Sequence, residues 1–129
     1  MSSPSSRRKV LIIEDEPAMR NVIYVLLAGL GWDGDVAHDL HHALSMIRQD
    51  QFDAVLLDLR SSDLPPEQMV SAITELRPSL VGRVLVITGE VSDPQTLEML
   101  ESCAVPHLPR SRVSSDLWGR LRNLLGFAR

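Results

Sequence analysis

One cysteine, Cys103, among 129 residues leaves no internal disulfide to brace the fold. No uninterrupted apolar stretch reaches the roughly 18 residues that a membrane-spanning helix needs. The opening MSSPSSRRKV has no apolar core of the signal-peptide kind. Positive charge is not in surplus either. The 13 Lys and Arg stand against 17 Asp and Glu, a net of −4, which argues against general affinity for nucleic acid or an anionic membrane. These absences point to a soluble, cytoplasmic protein. What is present is ordinary: 44% hydrophobic and 23% charged residues, in a length that suits one domain with its own core.

Residues 1–8 are rich in Ser, Pro and Arg and read as a flexible tail, leaving 9–129 as the domain. From Lys9 onward, short apolar runs alternate with stretches of helical period. VLII forms a first strand. Pro17 suits the first turn of a helix, and Met19, Val22, Ile23, Leu26, Leu27 and Leu30 make one stripe before GLG at 29–31 ends it. DGDVA is a short second strand. Asp39 caps a second helix with Leu40, Ala43, Leu44 and Ile47 on one face. DAVLL is the third strand, followed by a helix through Met69, Ile73 and Leu76. VLVIT is the fourth, followed by a helix capped by Asp93 and opened by Pro94. AVPHL is a fifth strand whose Pro106 suits an edge. The last helix carries Leu117, Leu121, Leu124 and Leu125. Strand–helix alternation five times over predicts an α/β fold, a doubly wound parallel sheet with helices on both faces.

Three apolar runs end on polar groups. KVLIIEDE runs into Glu14, Asp15 and Glu16, DAVLLDLR into Asp58, and RVLVITGE into Thr88. Ligands of such sheets bind beyond the carboxyl ends of the strands, where the winding reverses. The fold therefore gathers these residues at one crevice. Carboxylates brought together repel unless a cation joins them. An all-oxygen donor set suits a hard ion such as Mg²⁺. Such an ion would neutralise a phosphoryl group while Asp58 attacks phosphorus, with Thr88 bonding a second phosphoryl oxygen and Gly89 leaving room beside it. A further cation is needed for the third oxygen.

VLIIEDEP, DAVLLDLR and VLVITGE, in this order and spacing, resemble the response-regulator receiver domains of two-component signalling. The resemblance covers Lys9 to about Phe127. It implies a flavodoxin-like (βα)5 fold with strand order 2-1-3-4-5 and makes Asp58 the phosphoacceptor. Mg²⁺ would lie between Asp15, Asp58 and the backbone carbonyl of Arg60, with Glu14 on the ion directly or through water. Thr88, Gly89, Glu90 and His107 would form the switch, His107 standing where many members carry Tyr or Phe. The family's lysine falls at Arg110, and the proline after it at Ser111. Arginine keeps the charge but is longer and forked, and a non-proline at 111 favours a trans bond. Ser62 replaces a further family proline.

Each of these residues also has a plainer role. Asp58 can be a cap, Glu16 a solvated residue or cap before Pro17, and Arg110 a surface charge. Arg60 and Glu90 either form a weak surface ion pair or gate water and set the lifetime of the acyl phosphate. His38 and His42, one turn apart, lack a third metal ligand and read better as an exposed polar face. Trp118 and Phe127 either cover the end of the sheet or belong to a partner surface.

The resemblance implies a domain that takes a phosphoryl group from a histidine kinase or phosphotransfer protein. It would signal to a downstream protein through helix four, strand five and helix five, as a monomer or weak dimer. It would assist its own phosphorylation and dephosphorylation without being a turnover enzyme. A pseudo-receiver that binds partners without phosphate is the alternative, motivated by Arg110, Ser111 and Ser62. A phosphohydrolase would need a general acid two residues after Asp58, where DLR supplies none. No output module follows helix five in the 129 residues, as in a stand-alone regulator or a receiver from a longer protein.

Overall fold

Side chains along a strand alternate between the two faces of its sheet, so a sheet covered on both sides needs apolar residues at successive positions. VLII, AVLL and VLVI meet that demand. In the computed structural model, which describes residues 7–89 and 93–125, they are the centres of three of five strands. β1 (Lys9–Ile13), β2 (Asp33–Ala37), β3 (Ala54–Asp58), β4 (Val84–Thr88) and β5 (His107–Pro109) form one parallel sheet in the order β2-β1-β3-β4-β5. The helices are α1 (Pro17–Gly29), α2 (Leu40–Gln49), α3 (Pro66–Leu76), α4 (Pro94–Ser102) and α5 (Val113–Leu124). This is the flavodoxin-like order expected.

The alternation sorts the core into two halves. Leu11, Ile13, Val55, Leu57 and Val86 pack against the α2 and α3 side, through Ile47, Met69 and Ile73, with Leu100 of α4. Val10, Ile12, Leu56, Leu85 and Ile87 pack against α1 and α5, through Ile23, Leu27, Leu117 and Leu121. Because β1 lies between β2 and β3, the winding reverses between β1 and β3, and the crevice opens at their carboxyl ends.

Several expectations shift on contact with the fold. Val22 is 37% exposed, because the sheet covers only an arc of α1 and Val22 falls off its edge. Asp39 caps α2, accepting from His42 N. Asp93 precedes α4 but accepts from the Thr96 hydroxyl and makes no side-chain bond to the helix backbone. β5 begins at His107. Ala104 takes a left-handed φ of 56° and Val105 N donates back to Leu100 O, so both belong to the turn that closes α4. β5 is an edge strand, as Pro106 suggested. Arg7, expected in the tail, pairs with Asp33. The His38 and His42 rings stack and His42 Nδ1 accepts from His38 N, and among the described residues no third metal ligand joins them. Phe127 lies outside the described residues. Among those described, no helix is long and apolar enough to cross a membrane.

Trp118 leans across α1 and its Nε1 donates to Leu26 O at 2.6 Å. A Cβ at Gly29 would stand 2.6 Å from its ring. Alanine gains about 1 kcal/mol of helix propensity over glycine. The rigid indole, however, can yield only by giving up its hydrogen bond, worth about 1 kcal/mol, together with its packing. Gly29→Ala is therefore expected to destabilise by about 1 kcal/mol and to red-shift the tryptophan emission. A raised melting temperature with unchanged emission would contradict this.

Candidate functional site

Register decides which strand ends meet. Ile13 pairs with Leu57, so Glu14 and Asp58, one residue further along, emerge side by side. Asp58 pairs with Ile87, which sets Thr88 one step beyond. Thr88 in turn pairs with Pro109, and Arg110 follows. Four residues spread over almost a hundred positions thus arrive at one rim.

The carboxylates there are buried and met by guanidinium groups. The Glu14 side chain is 1% exposed and that of Asp58 5%. Arg110, whose side chain is 13% exposed, donates from Nη1 and Nη2 to the two oxygens of Glu14, each at 3.1 Å. Nη2 also reaches Glu16, and Nη1 stands 3.8 Å from Asp58 Oδ2. Arg110 is no surface charge. Burial works against its charge, but the bonds to Glu14 and Glu16 and the charges of Glu14 and Asp58 outweigh it, holding the group above its already high ordinary pKa. The described residues contain no cis peptide bond, in keeping with Ser111 in place of proline.

Asp58 ends β3 and caps the 3-10 turn Leu59–Ser61, accepting from Arg60 N at 3.1 Å. Its plainer role is thus also real. The Arg60 side chain folds back over it. Nε stands 3.3 Å from both Asp58 oxygens, Nη2 3.2 Å from Oδ2, and Nη2 3.6 Å from Glu14. Glu90, the partner considered for Arg60 from the sequence, lies outside the described residues. The signal available was an arginine two residues past an acidic strand end, within reach of its own strand's carboxylate. Glu16 is likewise more than a solvated residue. It stands at the start of α1 without capping it by its side chain, and binds Arg110 instead, while its N–H donates to Glu14.

Asp15 is exposed and is met by neither Arg60 nor Arg110. It shares a cavity of about 350 Å³ with Glu16, Asp58 and Arg60, so Asp15 and Asp58 do face one space. Roomier cavities, of about 490 and 550 Å³, lie around Arg7, Lys9 and Asp33 at the other end of the strands. Converging buried carboxylates, rather than size, mark the site. Thr88 is buried at the end of β4. A Cβ at Gly89 would meet nothing within 4 Å, so the space beside Thr88 is open. His107 is half-buried; its Nδ1 lies 3.1 Å from Val105 O, an acceptor only, so Nδ1 carries the proton.

Among the described residues no three Asp, Glu, His or Cys side chains gather closely enough to hold a metal ion. Arg60 and Arg110 each bridge Glu14 and Asp58 in the space between them. The donors nevertheless have the right chemistry. They are carboxylate oxygens, and Asp15 is committed to neither guanidinium, which suits a hard divalent cation.

A five-stranded doubly wound sheet with an acidic crevice at its switch point defines a class. Residues 10–121 match the response regulator receiver domain family, and the chain belongs to that family. It is 28% identical over 117 residues to the transcriptional regulatory protein TrcR of Mycobacterium tuberculosis, covering 91% of this chain and 45% of that protein. It is equally identical over 117 residues to the response regulator MprA of Mycobacterium avium, covering 91% and 50%. The chain thus spans half or less of these relatives. Among solved structures, a CheY-like receiver domain protein of Methanospirillum hungatei superposes with a TM-score of 0.80 at 17% identity, covering 93% and 94% of the two chains. The receiver domain of the sensor histidine kinase PA1611 of Pseudomonas aeruginosa, which holds a magnesium ion in its active-site cleft, gives 0.76 at 20%, covering 93% and 98%.

Proposed function

We propose that this receiver domain accepts a phosphoryl group on Asp58 from the phosphohistidine of a histidine kinase or phosphotransfer protein. A carboxylate oxygen of Asp58 bonds to phosphorus, the P–N bond breaks, and its electron pair returns to the imidazole, which takes up a proton. The observation that carries this reading is the placement of Asp58. It is a buried carboxylate at the end of the central strand, with cationic groups beside it and Asp15 across the same cavity.

Asp15, Asp58 and the carbonyl of Arg60 would hold Mg²⁺, with Glu14 nearby. When bound, the ion offsets phosphoryl charge. The remaining work falls to the chain. Glu14 and Glu16 hold the Arg110 fork at the rim, where it can meet a phosphoryl oxygen as the family's lysine would. Thr88 donates its hydroxyl to another oxygen. Arg60, over the carboxylate, limits the approach of water and so lengthens the life of the acyl phosphate. Phosphorylation biases Thr88, Gly89, Glu90 and His107, altering the face formed by α4, β5 and α5. The domain assists its own phosphorylation and dephosphorylation and has no further turnover.

Incubation with acetyl phosphate and Mg²⁺ is expected to add the mass of one phosphoryl group, lost in Asp58→Asn and reduced when Mg²⁺ is chelated. A chain that stays unmodified while still binding a partner would instead fit a phosphate-independent interaction module.

A further inference from the structure

We propose that Arg60 is a tethered cation that closes the resting crevice over Asp58 and competes with the divalent cation for that carboxylate. The proposal rests on the receiver reading for the presence of the ion, and on geometry for everything else.

The first argument is occupancy. A carboxylate offers about four acceptor positions. Three Arg60 N–H groups address Asp58: the backbone N–H on Oδ1, Nε–H shared between Oδ1 and Oδ2, and Nη2 on Oδ2, while Nη2 also leans on Glu14. At most one position stays open, and a metal ion at either oxygen meets the guanidinium's positive charge there.

The second argument is charge. Glu14, Asp15, Glu16 and Asp58 bring four negative charges to the crevice, and Arg110 removes one. Three remain to attract a divalent ion. Arg60 takes away one of them and weakens the attraction that draws the ion in.

The third argument is exposure, which separates the roles of the two arginines. Arg110 is 13% exposed and bound to both Glu14 and Glu16, so it belongs to the wall. Arg60 is 64% exposed and covers an aspartate that is 5% exposed. It is the outermost group over the buried carboxylate and can turn into solvent with its charge hydrated. Exposed ion pairs are individually weak, and charge-assisted forked ones are stronger. The cost to the metal is therefore a moderate factor rather than a block.

Mg²⁺ binding is measured by calorimetric titration of the full chain at low salt, for the unaltered protein and for Arg60→Met, Asp15→Asn and Asp58→Asn. Arg60→Met, which keeps the apolar stem and removes the charge, is expected to bind Mg²⁺ about fivefold more tightly, the factor that a partly exposed forked pair supplies. In the unaltered protein the Arg60 Nε–H signal, followed by NMR, is expected to move as Mg²⁺ is added. Equal affinities and an unmoved Nε–H signal, with binding still lost in Asp15→Asn, would overturn the role of Arg60 and leave the receiver reading standing. Absence of Mg²⁺ binding in the unaltered protein and Arg60→Met alike would overturn both.

Discussion

Arg110→Met is expected to lower the free energy of unfolding by roughly 2–4 kcal/mol at neutral pH, as removal of one partner from a buried ion pair does. The guanidinium meets both oxygens of a Glu14 side chain that is 1% exposed. Without it, Glu14 keeps the Glu16 N–H at 3.0 Å and an Arg60 nitrogen at 3.6 Å, too little to replace a two-pronged bond. Glu14→Gln combined with Arg110→Met is expected to recover most of the loss, because a neutral amide is far cheaper to bury than a lone charge. Urea unfolding at neutral pH measures both. A single variant as stable as the unaltered chain, or a double variant no better than the single, would show that the pair contributes little.

Leu57→Ala is expected to cost roughly 3–4 kcal/mol, the usual range for a leucine emptied from a closed core. Leu57 is fully buried on the central strand, paired with Ile13 on one side and Val86 on the other, in the core half that holds Met69 and Ile73. A domain of this size has about 5–15 kcal/mol in all, so the variant would be partly unfolded on mild heating. Leu57→Met, which keeps the volume, is expected to lose under about 1.5 kcal/mol. Urea midpoints, read with an unchanged denaturant slope, give the comparison. A loss below about 1 kcal/mol in Leu57→Ala would mean that the neighbours collapse into the space. Because the next residue is Asp58, acetyl phosphate labelling of the variant is expected to fall along with its folded fraction.

The sheet and the meeting of Glu14, Asp15, Asp58 and Thr88 are legible from strands that end on polar groups, while the strand order is legible only through the family resemblance. Strand direction and winding, set by short connections and apolar runs, are enough to bring those ends together. What escapes a reading along the chain is where flexible charged side chains settle. Arg60 points back over its own strand because the 3-10 turn after Asp58 brings its Nε to the carboxylate. Glu16 turns to Arg110, a partner 94 residues away. Val22 shows the same limit for apolar residues: helical period marks a stripe, and the width of the supporting sheet decides how much of it is buried. The forked shape that separates Arg110 from the family's lysine is what Glu14 accepts.

The chain has a single lysine, Lys9, and it opens β1, at the end of the strands away from the crevice. Its ammonium is hydrogen-bonded to Asp50, which raises its pKa and leaves little free amine to react. Acetyl phosphate acylates amines as well as phosphorylating carboxylates. Among the described residues the positive charge at the rim rests on Arg60 and Arg110 and on no lysine, so acetylation of lysine leaves it in place.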